Sequence, residues 1–269
     1  MSSTIHKKQP VAGKDTKRDI QDEVVHPQTP HSDVLPGKLA PLIAFVGCDG
    51  AGKSTVSDAV LAWIKESRDA QSCHLGIQSK SLGEAVVKWP LVGPAIGRLI
   101  VANSARSNSS FRSSGKGPST LVALVVFLLS VRRWRRYRKM MALRRRGIAV
   151  VADRYPQIAV ANMKIDGPGL LKVKHRNGFV RFLAGCERML YAYMISYRPD
   201  LVIRLNVDLE TAFARKPDHR YESLALKIAS VPQLEYQGAP ILDLDSSLPL
   251  EDVIARAKAA VSPHLEMVE

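Results

Sequence analysis

Residues 47–55 read GCDGAGKST and follow directly on the apolar run PLIAFV at 41–46. Gly47, Gly52, Lys53 and Ser54 match the spacing G-x-x-x-x-G-K-[ST] at every fixed position. Few sequence features restrict a fold more. Glycines let the backbone wrap so tightly that successive N–H groups point inward at phosphate oxygens. A helix that starts at the lysine adds its positive N-terminal end. Lys53 brings a full charge to the β- and γ-phosphates, and the Ser54 hydroxyl can ligate Mg²⁺. A chance glycine-rich turn is the alternative. It is set aside because the loop stands between a strand-like run and the helical spacing of Val56, Val60, Leu61 and Ile64. The phosphate-binding residues are therefore Gly47, Asp49, Gly50, Ala51, Gly52, Lys53, Ser54 and Thr55, and the expected ligands are ATP and Mg²⁺.

A strand–loop–helix unit has to be completed by further units of its kind. Apolar runs suited to buried strands recur at 73–78, 147–156, 199–207 and 239–245. Helical patterns lie between and after them at 119–146, 178–196, 208–215 and 250–261. Strands alternating with helices imply a parallel sheet covered on both faces, with its site beyond the carboxyl ends of the strands. The expectation is an α/β fold: a three-layer P-loop NTPase sandwich with a five-stranded, mostly parallel sheet and a short lid at about 215–222. Residues 1–38 are polar, proline-punctuated and without period, and read as a disordered tail before a single domain at 39–269. The serine- and glycine-rich stretch 103–119 reads as a mobile loop.

Charge and cysteine content narrow the partners. Lys and Arg outnumber Asp and Glu by 39 to 25, a formal +14, which favours anionic partners. Nucleic acid is an unfavoured one, since no helix-turn-helix or aromatic-interleaved signature accompanies the charge. The apolar run 121–129, followed by nine basic residues between 132 and 146, could lie on anionic lipid. The reading preferred for it is a core helix with a basic end. Cys48, Cys73 and Cys186 are odd in number and scattered, and so build neither a disulfide framework nor a zinc knuckle. With no apolar h-region at the start, the expected location is cytoplasmic.

Taken together, the motifs resemble those of the thymidylate kinase-like family of P-loop nucleoside monophosphate kinases. FVGCDGAGKST is similar to that family's phosphate loop, VVADRYP to its strand ending in Asp-Arg-Tyr, and YRPDLVIRLNVDLETAFARK to the segment leading into its lid. FLLSVRRWRRY resembles its helix carrying an acceptor-binding arginine. The likeness runs from about residue 41 to the C-terminus.

It implies transfer of the ATP γ-phosphoryl group to a nucleoside monophosphate, with dTMP the leading candidate. Asp153 would hold a water on Mg²⁺ beside Ser54, and Arg154 would bridge donor and acceptor phosphates. Asp49, Arg133, Arg154 and Tyr155 would contact the acceptor. Arg215 and Arg220 would supply lid charge to the transferred group alongside Lys53, whereas His219 reads as neutral surface. The resemblance also implies a homodimer. One departure stands out: the segment after the second strand, HLGIQSKSLGEAVVKWP, offers Lys80 but no arginine before Arg98. The alternatives are a non-nucleotide acceptor, such as a sugar or glycan-linked group, or a non-catalytic ATP-binding protein at a membrane surface.

Overall fold

The computed structural model describes residues 39–76, 119–160, 165–170 and 177–266. The tail 1–38, residues 103–118 of the serine-rich stretch, Lys80 and Arg98 lie outside the described residues.

Five strands form one sheet: β1 (Leu42–Gly47), β2 (Ala70–His74), β3 (Ala149–Asp153), β4 (Leu201–Asn206) and β5 (Ile241–Asp245). Their spatial order is β2-β3-β1-β4-β5 and every pairing is parallel, so the sheet is wholly rather than mostly parallel. β1 is central and its residues 42–46 are all buried. A strand covered on both faces must be apolar at consecutive positions, and LIAFV is.

Among the described residues, six α-helices flank the sheet: α1 (Lys53–Ile64), α2 (Thr120–Arg145), α3 (Gly178–Ile195), α4 (Leu209–Arg215), α5 (Tyr221–Ser230) and α6 (Leu250–Glu266). α1 packs with α6 and α2 with α3, so the sheet lies between two helix pairs. Side chains cap several helix starts. The Ser119 hydroxyl accepts from Val122 N, Asn177 Oδ1 from Phe179 N, and Asp208 Oδ1 from Thr211 N. Ser119 is thus the residue at which the serine-rich stretch turns into α2.

Two long-range ties fix the layers. Arg144 near the end of α2 donates to Ala40 O at 2.7 Å and to Asp200 Oδ2 at 2.8 Å, and the same carboxylate accepts from Leu42 N. This clamps the amino edge of β1, opposite the loop. Between α2 and α3, the buried Glu187 accepts from Ser130 Oγ and from the backbone of Gly169 and Leu170.

The second strand falls at 70–74 rather than 73–78. It is an edge strand whose Gln71 and Ser72 are exposed, so it carries no continuous apolar run. Residues 216–220 form the turn between α4 and α5, which Tyr221 opens. α6 runs on to Glu266 through Pro263.

Candidate functional site

The 47–55 loop emerges from the carboxyl end of β1 with backbone that only glycine adopts readily. Gly47 has φ 143°, and a Cβ there would lie 2.5 Å from Leu205 O on β4. Gly52, at φ 74°, is the residue before α1, and it brings no side-chain cap. The first amides of α1 are left facing outward, where an anion can take them. The Lys53 side chain folds back over the loop and donates to Cys48 O at 2.5 Å. Burial, together with the nearby Arg154 charge, lowers its pKa. A phosphate would supply the missing countercharge.

β-sheet register sets the next group beside the loop. Phe45 on β1 pairs with Asp153 on β3, and Asp153 with His74 on β2. Asp153 Oδ2 lies 2.6 Å from His74 Nδ1, while Asp153 Oδ1 is buried without a partner. Burial resists ionisation of this carboxyl, but the His74 bond and the charges of His74, Lys53 and Arg154 outweigh it and hold the pKa below its ordinary value. A cleft of about 160 Å³ opens here, lined by Ser54, Ser57, Asp58, Ser72, His74 and Asp153 among others. Mg²⁺ favours oxygen donors and is commonly held by one or two protein ligands, with water and phosphate completing its shell. The Ser54 hydroxyl and the orphaned Asp153 Oδ1 are suited to that ion.

Arg154 follows with φ 67°, a left-handed conformation unusual for a long side chain. Its own N–H donates to Phe45 O, and its guanidinium turns over the loop to donate to Asp49 Oδ1 at 2.6 Å. A second nitrogen lies 3.5 Å from Asp166 Oδ2. Burial opposes its charge, yet Asp166 and Asp49 outweigh it and raise its pKa further. Asp49 also pairs with Lys227 of α5, and His219 Nε2 stands 3.7 Å from it. Burial would raise the Asp49 pKa, but Lys227 and Arg154 drive it well below the carboxylate range.

On the other flank, Arg215 at the end of α4 donates to Gly50 O at 3.3 Å and Ser246 O at 3.1 Å. It borders a cleft of about 270 Å³ whose walls include Thr55, Val56, Leu248, Leu250 and Val253. An apolar slot beside a phosphate loop is the size and character a nucleobase needs.

The expected site residues thus divide. Gly47 to Thr55, Asp153, Arg154 and Arg215 converge. Arg220 does not: its side chain is exposed and its nearest acid is Glu222 at 4.0 Å. Arg133 is fully buried and donates to Leu75 O, Asp166 O, Asp166 Oδ1 and Tyr191 Oη. Tyr155 is buried among Tyr137 and Tyr236, its hydroxyl donating to Tyr197 O. Two of the four side chains expected at an acceptor, Arg133 and Tyr155, are therefore packed in the core of this structure.

Four residues enter that the sequence reading missed: His74, Asp166, Lys227 and Arg136. Arg136 lies one turn beyond Arg133 and donates to Gly76 O at 2.6 Å, its Nε buried and unpartnered. A strand placed at 70–74 would have put His74 level with Asp153. Nothing in the sequence marks Lys227.

No protein-family model matches the chain. It is 37% identical over 244 residues to the uncharacterized ATP-binding protein YghR of Escherichia coli strain K12, covering 90% of this chain and 94% of that one. The YghR of Escherichia coli O6:H1 matches with the same figures. The uncharacterized ATP-binding protein YghS of strain K12 is 38% identical over 224 residues, 83% of this chain and 93% of YghS.

Proposed function

We propose, since this chain belongs to the family of ATP-binding proteins that includes YghR and YghS, that it is a MgATP-dependent phosphotransferase of the nucleoside monophosphate kinase type. The observation that carries this reading is Arg154. Its strained backbone turns a guanidinium over the phosphate loop, within reach of both the Lys53 side and an acceptor bound beside Asp49.

Bound MgATP supplies the transferable phosphoryl group. The loop amides and Lys53 would hold its phosphates, and the 270 Å³ slot by Thr55 and Leu250 would take the base. Ser54 and Asp153 would hold Mg²⁺. Arg154 faces charge that develops between donor and acceptor, and Arg215 caps the loop from the α4 side. Little proton chemistry is required, because such transfer is governed by alignment and charge neutralisation.

dTMP remains the leading acceptor on the resemblance, with Asp49 and Arg154 as its contacts. The burial of Arg133 and Tyr155 favours a second reading, in which a sugar or glycan-linked acceptor replaces the nucleotide. ADP release measured against a panel of nucleoside monophosphates and sugars separates them. Acceptor-stimulated turnover is expected from one class. ATP binding with no stimulation by any acceptor would reduce the protein to a nucleotide-binding module.

A further inference from the structure

The solvent side of the α2–α3 pair has an unusual composition. α2 contains no acidic residue. α3 contains one, Glu187, and it is buried against Ser130 and the 169–170 backbone. Every exposed charge on the two helices is therefore positive: Arg135, Arg138, Lys139 and Arg145 on α2, Arg181 and Arg188 on α3. Large apolar side chains stand among them. Phe179 is 49% exposed, Phe182 64% and Met189 73%, with Tyr193 at 41% and Leu128 of α2 at 46%. Arg181–Phe182 and Arg188–Met189 repeat seven residues apart, two helical turns, so the two most exposed apolar groups of this stripe each follow an arginine.

We propose that this face docks on an anionic lipid bilayer. An interfacial helix pairs apolar side chains that enter the acyl boundary with cations that stay at the phosphates. Both halves of that requirement are met on α3, and α2 adds further positive charge alongside it. No helix among the described residues is long and apolar enough to cross a membrane, so the contact lies in the interface plane.

Other occupants fit less well. A second copy of the chain in a two-fold dimer would set this patch against itself, with Arg181 and Arg188 facing cations and no exposed acid to answer them. A nucleic acid would take the cations, but Phe182 and Met189 would find no apolar partner along its phosphates. The inference is independent of phosphotransfer, because no residue of the 47–55 loop takes part.

Flotation of the full chain with phosphatidylcholine vesicles, with and without phosphatidylglycerol, tests it. Binding is expected only to the anionic vesicles, and it should weaken as salt rises. Phe182→Ser with Met189→Ser should lower affinity about tenfold. Each of Arg181→Gln and Arg188→Gln should lower it about fivefold. All four side chains are exposed, so thermal melts should match wild type. Three outcomes would overturn the proposal: no flotation with anionic vesicles at low salt, retention on duplex DNA together with vesicle binding that the Phe182/Met189 variant leaves unchanged, or a salt-stable dimer that this variant dissolves.

Discussion

Asp49 accepts a 2.6 Å hydrogen bond from the Arg154 guanidinium, across 105 residues of sequence. One residue belongs to the phosphate loop, the other to the turn after β3, and the β1–β3 register sets them face to face. Lys227 arrives at the same carboxylate from α5. Three elements are thus tied at one acid, and breaking that tie affects both the fold and the proposed chemistry.

Acid titration should reveal the tie. The folded Asp49 pKa lies below its ordinary 3.8, so ionised Asp49 stabilises the fold fully above the unfolded value. That contribution is lost progressively as pH falls from there through the folded value. Thermal melts of wild type and Asp49→Asn should differ by a constant gap from neutral pH down to about 4, and the gap should close in stronger acid. A gap that stays flat through the acid range would mean the ion pairs contribute nothing.

The phosphate loop was legible in the sequence because its constraints are local. The 47–55 spacing fixes glycine backbone, helix start and lysine position within nine residues, and the apolar run before it could only be a central strand. Asp153 was legible for a similar reason, being a charge at the end of a buried run. β2 was misplaced because an edge strand exposes Gln71 and Ser72 and so loses the apolar signature. Lys227 was invisible because its partner lies 178 residues away and pairing at that range leaves no periodicity. Arg133 looked available because it stands in a run of basic residues, of which Arg135 and Arg138 do face solvent. Its burial depends on Asp166 and Tyr191, which only the fold brings to it.

Lys53→Ala should lower phosphate transfer about 10²- to 10³-fold, the scale for removing one preorganised charge-stabilising donor. The fold should survive, since the ammonium is buried with a depressed pKa and makes one hydrogen bond, to its own loop. The melting temperature should stay within about 4 °C of wild type. Wild-type turnover in the variant would contradict the assignment of the loop.

Asp153→Asn should weaken Mg²⁺-dependent ATP binding about 10- to 100-fold, the range for altered metal-site groups. ATP binding in excess chelator should barely change, because the loop amides and Lys53 are untouched. Calorimetric titrations with and without Mg²⁺ measure the difference. Equal loss in both conditions would place Asp153 outside any metal site.

Glycine substitutions should separate the loop from its surroundings. Gly47→Ala drives a Cβ to 2.5 Å from Leu205 O at φ 143°, so either β4 or the loop must shift. A loss of about 1–3 kcal/mol is expected from the strained backbone alone, with ATP binding impaired. Gly185→Ala in α3 meets nothing within 4 Å and should raise stability by about 1 kcal/mol through helix propensity. Denaturant titration of both reports the two signs.

Arg133 and Arg154 offer the sharpest contrast, because both are arginines bonded to Asp166 and only one faces the loop. Arg133→Ala removes a fully buried cation, strands Asp166 Oδ1 and leaves the Tyr191 hydroxyl with its bond to Gly167 O alone. Breaking a buried pair by deleting one partner costs about 3–5 kcal/mol, so this variant should melt well below wild type. Its residual folded fraction should retain its affinity for the acceptor. Arg154→Lys keeps the charge but loses the fork that spans Asp49 and Asp166, and it should stay folded while transfer falls about 10²-fold. The measurements are melting temperature and turnover per folded molecule. If Arg133→Ala instead folded normally and lost acceptor affinity, Arg133 would be an acceptor contact, as the resemblance to thymidylate kinases implies, and would have to leave its buried site to make it.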